Sequence, residues 1–138
     1  MHPATKTTKK VLIVDDEPAL LLSIEAGFEG HEQRFQIMTA LNGRDGLNIL
    51  KAAKIDLVIT DLRMPEMDGF EFVRCLNSDF SHIPRIVMSA YGTPALERDL
   101  QRHGILSFLD KPVDFDTLQS TILDALQDHS RSSQPIVH

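Results

Sequence analysis

The chain has 138 residues, 42% hydrophobic and 25% charged, which suits one domain with its own core and excludes a disordered or low-complexity chain. Its formal charge is −6, and because Met1–Lys10 holds three lysines and no acid, the remainder carries −9, a balance that argues against nucleic-acid binding by this segment. One cysteine, Cys75, rules out an internal disulfide and fits a reducing compartment, while neither an apolar run of about 18 residues nor a secretory h-region is present.

Val11-Leu12-Ile13-Val14 predicts the first strand, unbroken and β-branched as in a strand buried on both faces. Pro18 then opens a helical stripe of Leu20, Leu21, Ile24 and Phe28. Phe35–Met38 predicts a second strand that alternates more, as a strand nearer an edge would. Leu47, Ile49 and Leu50 make a weaker stripe, interrupted by Gly46. Asp56–Thr60 predicts the third strand, and Phe70, Val73 and Leu76 the helix after the Asp68-Gly69 turn. Arg85–Met88 predicts the fourth strand. Thr93-Pro94 then reads as an N-cap with proline in the first helical position, followed by Leu96 and Leu100 and closed by Gly104. Ile105–Leu109 predicts the fifth strand, and Phe115, Leu118, Ile122 and Leu126 the clearest stripe.

Five β-α repeats predict an α/β fold, a doubly wound parallel sheet with helices on both faces. Ligands of such sheets bind beyond the carboxyl ends of the strands. There the sequence places Asp15, Asp16 and Glu17 after the first run and Asp61 after the third. Ser89 and Ala90 follow the fourth run, and Asp110, Lys111 and Pro112 the fifth. Taken singly, each has an ordinary reading. An acid before Pro18 caps a helix, Asp61 sits in a turn, Ser89 bonds its own backbone, and Lys111 is solvated. Their joint placement favours a site. Carboxylates crowded into one cleft repel each other and suit a hard divalent cation such as Mg²⁺. One carboxylate can act as a nucleophile toward phosphorus. Lys111 supplies a compact cation for a phosphate oxygen and Ser89 a hydroxyl.

The segments Val11-Leu-Ile-Val-Asp-Asp-Glu-Pro18, Asp56-Leu-Val-Ile-Thr-Asp-Leu-Arg-Met-Pro-Glu-Met-Asp-Gly69, Ile86-Val-Met-Ser-Ala90 and Phe108-Leu-Asp-Lys-Pro112 resemble the CheY-like receiver domain of two-component response regulators. The resemblance covers residues 9–127. It implies five parallel strands in the order 2-1-3-4-5, flanked by five helices, a flavodoxin-like order. It implies Asp61 as phosphoacceptor, and Mg²⁺ (or Mn²⁺) held by Asp15, Asp16, Asp61 and the Arg63 backbone carbonyl. Lys111 and Ser89 would contact the phosphoryl group. Ser89 and Phe108 would be the switch pair, and the Lys111–Pro112 peptide would be cis. The donor would be a phosphohistidine on a sensor histidine kinase or a histidine phosphotransfer protein. The reaction would be self-phosphorylation and dephosphorylation, not turnover of a substrate. An output domain, a target protein or a second copy of the chain would bind the surface of residues 92–127, with no direct nucleic-acid or membrane contact and a cytoplasmic location.

Arg63 and Tyr91 stand at variable positions of the family and flank the path of the attacking water. They are expected to screen the acyl phosphate; otherwise both point into solvent. Gly46 and Gly104-Ile105 depart from the family's usual residues away from the site. His31, His82 and His103 lack metal-ligand spacing. Cys75 reads as a packed side chain on the third helix, and Glu97, Arg98, Asp99 and Arg102 as a solvated helix face. Residues 1–8 read as a flexible start and 128–138 as a tail or linker, as in a receiver excised from a longer chain. Two rivals remain. A pseudo-receiver would bind partners without phosphorylation. An aspartate-nucleophile phosphohydrolase places its acids as Asp-x-Asp after one strand, which adjacent Asp15-Asp16 and distant Asp61 do not match.

Overall fold

The structure is a computed structural model that describes residues 8–30, 34–63, 67 and 69–132. The elements alternate without exception. They are β1 (Lys9–Val14), α1 (Pro18–Gly27), β2 (Phe35–Ala40), α2 (Gly43–Ala52), β3 (Leu57–Thr60), α3 (Gly69–Asp79), β4 (Arg85–Ser89), α4 (Pro94–Arg102), β5 (Ser107–Asp110) and α5 (Phe115–Ser132). All neighbouring strands pair in parallel, in the order β2-β1-β3-β4-β5. The expected fold class and strand order are those observed.

Alternation along β1 explains the two layers. Val11 and Ile13 face α1 and α5, in a core with Ile24, Phe28, Leu118 and Ile122. Leu12 and Val14 face the opposite way, onto Leu50 of α2 and Phe72 and Leu76 of α3. Val87 continues that second face onto Leu100 of α4. Each inner strand is thus apolar on both sides, as its unbroken sequence requires. The more alternating β2 is an edge strand. β5 forms the other edge and begins at Ser107, later than its apolar run: the Ile105 amide is bonded back to the Leu100 carbonyl of α4 at 3.1 Å, and Leu106 is half exposed.

Local chemistry fixes the helix ends. Thr93 accepts the Leu96 amide at 3.1 Å and caps α4. Gly104, with φ at +86°, takes the left-handed turn that ends the helix. Gly46 packs where a Cβ would press on Val14 and the Phe72 ring; the large ring fills the space an alanine methyl would use. α5 continues past its last apolar residue, Leu126, to Ser132. Residues 1–7, 133–138 and His31 lie outside the described residues. His82 and His103 are exposed, Cys75 is half-buried on α3, and Arg98, Asp99 and Arg102 form a solvated face of α4.

Candidate functional site

The sheet ladder runs one residue beyond the strands and so carries the acids to one edge. The Asp15 amide donates to the Ala40 carbonyl, the Asp61 amide to the Val14 carbonyl, and the Lys111 amide to the Ser89 carbonyl, each at 3.0 Å. The cis Lys111–Pro112 peptide follows. Backbone pairing therefore fixes where the segments after β1, β3 and β5 leave the sheet, before any side chain acts.

At that edge one ammonium serves three carboxylates. Lys111 Nζ lies 2.7 Å from Asp15 Oδ2, 2.9 Å from Glu17 Oε1 and 2.9 Å from Asp61 Oδ2. The contacts to Glu17 and Asp61 are hydrogen bonds. The contact to Asp15 is the shortest of the three, an ion pair to an oxygen that is fully buried and has no other polar partner among the described residues. Burial pushes the Asp15 carboxyl up from its ordinary range, while Lys111 and the Glu17 amide pull it back. Burial alone would depress Lys111, but its three carboxylate partners outweigh that and hold the ammonium above its ordinary range.

Asp61 is gripped from the backbone as well. Its Oδ1 accepts the Leu62 amide at 2.6 Å and the Arg63 amide at 3.3 Å. Asp15 Oδ1 accepts the Glu17 amide at 3.0 Å. The Glu17 side chain therefore does not cap α1, and reaches Lys111 instead. Spacing did not single out Glu17 for this role; its one signal is the run of three acids that ends β1.

The donor set suits a hard cation. Asp15, Asp16, Glu17 and Asp61 each offer an oxygen, and these oxygens lie within 4.8 Å of one another. Four carboxylates against one ammonium leave an excess of negative charge, and Asp15 Oδ2 still has an unused lone pair. Both features are what a Mg²⁺ site with carboxylate ligands requires.

Ser89 is fully buried, and its Oγ accepts the Tyr91 amide at 3.2 Å. Phe108 is half-buried beside Leu96 in the α4 core. Its ring rests on Gly92, where any Cβ would strike it. The Arg63 guanidinium stacks over the Tyr91 ring at 3.9 Å from the centroid. The structure thus brings Asp15, Asp16, Asp61 and Lys111 into one cluster and joins Arg63 to Tyr91 beside it.

The chain is similar to known proteins in sequence and in fold. The sequence matches the response regulator receiver domain family over residues 11–123. Protein PilH of Pseudomonas aeruginosa is 36% identical over 115 residues, which cover 82% of this chain and 93% of PilH. The transcriptional regulatory protein GlrR of Escherichia coli is 38% identical over 117 residues, 85% of this chain but only 26% of GlrR. The chain therefore spans about a quarter of that relative's length. Among solved structures, the chemotaxis protein CheY4 of Vibrio cholerae superposes with a TM-score of 0.78 at 28% identity, covering 87% of this chain and all of that one. A CheY-like receiver domain protein of Methanospirillum hungatei superposes at 0.84 and 22% identity over 92% of this chain and all of that one, which shows the shared fold. The chain belongs to the response regulator receiver domain family of two-component signalling.

Proposed function

We propose that this receiver accepts a phosphoryl group on Asp61, in a reaction that needs a divalent cation, and that the acyl phosphate biases the surface of residues 92–127. The observation that carries the reading is Lys111 Nζ held 2.9 Å from Asp61 Oδ2 amid the acidic cluster. A carboxylate oxygen of Asp61 forms a bond to phosphorus. The bond from phosphorus to the donor breaks: P–N for a phosphohistidine, P–O for acetyl phosphate. The leaving imidazole or acetate keeps the electron pair. Asp15, Asp16, Asp61 and the Arg63 carbonyl would hold Mg²⁺ (or Mn²⁺), which supplies charge neutralisation to the incoming phosphoryl oxygens.

This chain's own groups do the rest. The amides of Leu62 and Arg63 hold the Asp61 carboxylate in one rotamer, which lowers the cost of orienting it. Lys111 is the resting counter-ion, and its charge passes to a phosphoryl oxygen as the Asp61 negative charge is consumed. Ser89, whose hydroxyl now serves the Tyr91 amide, would re-pair to the phosphoryl group and draw in the β4–α4 segment. Phe108, packed against that segment, would follow.

The donor would be a sensor histidine kinase or a histidine phosphotransfer protein, with an output domain, a target or a second copy as receiver of the signal. We place the reaction in the cytoplasm; no helix of the described residues is long and apolar enough to cross a membrane. The domain would accept about one phosphoryl group and turn over no separate substrate.

Intact mass after incubation with acetyl phosphate tests this. A single adduct requiring both Mg²⁺ and Asp61, lost in Asp61→Ala, is expected. An adduct that persists in Asp61→Ala would overturn the assignment. Repeated release of phosphate from a monoester would point to a hydrolase instead. No adduct, with no binding of beryllofluoride and Mg²⁺, would indicate a pseudo-receiver.

A further inference from the structure

We propose that Thr60 is a positioning residue for the phosphoacceptor turn: its buried hydroxyl fixes the peptide that aims Asp61. The inference rests on Asp61 being the acceptor. Thr60 ends β3 and is fully buried. Its neighbours across the sheet are Val14 on β1 and Val87 on β4. Packing alone is satisfied by valine, which has the same shape, and the two flanking strands carry valine in register. A hydroxyl in such surroundings must find a partner. Thr60 Oγ1 donates to the carbonyl of Asp61 at 2.9 Å.

That carbonyl governs the turn. The Asp61 C=O and the Leu62 N–H belong to one rigid peptide plane, so fixing one direction fixes the other. The Leu62 N–H is the group that grips Asp61 Oδ1 at 2.6 Å, with Arg63 N–H behind it at 3.3 Å. On its other side the Asp61 carbonyl abuts the first residue of α3. A Cβ on Gly69 would collide with Asp61 O and Leu62 Cα, and the Gly69 amide donates to the Leu62 carbonyl at 2.9 Å. The peptide after the acceptor is thus held between a hydroxyl and a helix start. The carbonyl after that of Leu62 belongs to Arg63, one of the groups the proposed function assigns to the metal. Without the hydroxyl a buried acceptor loses its donor, and the peptide plane is free to turn.

The test uses the full chain as wild type, Thr60→Val, Thr60→Ser and Thr60→Ala. Phosphorylation by acetyl phosphate at saturating Mg²⁺ is followed by intact mass, with Mg²⁺ affinity by calorimetry and folding midpoints alongside. Thr60→Val is expected to lower the maximal rate per folded molecule about tenfold, within what sub-ångström misplacement of a reacting group costs. It is expected to weaken Mg²⁺ severalfold, and Thr60→Ser, which restores the hydroxyl without the methyl, recovers both. Thr60→Ala should be no faster than Thr60→Val. Amide exchange at Leu62 and Arg63 reads the turn with no donor present; it should quicken in Thr60→Val and return in Thr60→Ser. A lower folding midpoint with an unchanged rate and unchanged amides would reduce Thr60 to a packing residue and overturn the proposal. If wild type takes no phosphoryl group, the acceptor assignment fails, and the amide readout still decides whether Thr60 holds the turn.

Discussion

The guanidinium of Arg63 lies over the ring of Tyr91, 3.9 Å from its centroid, and so ties the loop after β3 to the loop after β4. Both side chains are exposed, so the pair forms a flap beside Asp61 rather than part of the core. Such a contact at an exposed site is worth about 0.5–1 kcal/mol. As a screen of the acyl phosphate it would slow attack by water. Dephosphorylation of Arg63→Ala and Tyr91→Ala is expected to quicken by up to about fivefold each, the range that energy allows. Because the two groups touch, the double variant should be no faster than the faster single one. Decay rates matching wild type in both single variants would dismiss the screen.

Removing Lys111 should separate its two effects. Asp15 and Asp61 are buried, and Lys111 is their shared counter-ion. Lys111→Met leaves those charges uncompensated, a loss of up to about 3 kcal/mol in metal-free buffer. The stripped acidic cluster should bind Mg²⁺ more tightly than wild type, and saturating Mg²⁺ should recover most of the stability through binding to the folded state. Phosphorylation nevertheless slows, because no ammonium remains for the phosphoryl oxygen. Thermal melts with Mg²⁺ and with chelator check the first part and intact mass the second. Weaker Mg²⁺ binding in the variant would contradict the shared counter-ion account.

The order of elements was legible because the inner strands are apolar on both faces, and Val11-Leu12-Ile13-Val14 says so without reference to anything else. Asp15 and Asp61 were legible because each directly follows such a run, and Lys111 because it lies just past the fifth run and precedes Pro112. What stayed hidden depends on partners distant in sequence. Glu17 reads as a helix cap until Lys111, 94 residues away, is seen to claim it. Thr60 reads as the last member of a β-branched run until its hydroxyl finds Asp61. Arg63 and Tyr91 carry no sign of each other. Arg85 opens the fourth predicted strand with nothing in the sequence to mark its partners, yet it is almost wholly buried.

Arg85 supplies a stability prediction remote from the chemistry. Its Nε donates to the Ile83 carbonyl at 3.1 Å, and a terminal nitrogen donates to the carbonyls of Ile83, Phe80 and Ser81 at 2.7, 3.1 and 3.3 Å. The other terminal nitrogen meets Asn77 Oδ1, and Asn77 in turn donates to the His103 carbonyl at 3.3 Å. One fork thus closes the turn from α3 to β4 and reaches the end of α4. Arg85→Met leaves several carbonyls without a donor and should cost on the order of 2–4 kcal/mol. That is a fall of roughly 10 °C in Tm for a chain of this size. Arg85→Lys should recover little, since a point charge cannot reproduce the fork. Because Arg85 opens β4 and Ser89 closes it, the phosphorylation rate of folded protein should not change. A Tm within 2 °C of wild type (roughly the yield of a single weak hydrogen bond) would show the fork to be dispensable.

The start of α5 gives the pH dependence its sign. Asp114 Oδ1 accepts the Thr117 amide at 2.7 Å, and Oδ2 accepts the Thr117 hydroxyl at 3.0 Å, so the ionised carboxylate caps the helix. The Thr117 amide, helped by the hydroxyl, holds the Asp114 carboxyl below its ordinary value of 3.8. A folded-state pKa lower than the unfolded one means the unfolded chain binds the proton more readily. The stabilisation is therefore complete above about 3.8 and lost as pH falls through the lower folded value. Asp114→Ala should melt below wild type at pH 7, and the gap should close as the buffer is taken below that range. Asp114→Asn keeps an acceptor for the Thr117 amide without the titration. Its difference from Asp114→Ala should therefore not vary with pH, while wild type loses its advantage over both in acid. A gap between wild type and Asp114→Ala that stays constant through the acid range would show that the cap works by hydrogen-bond geometry alone, without its charge.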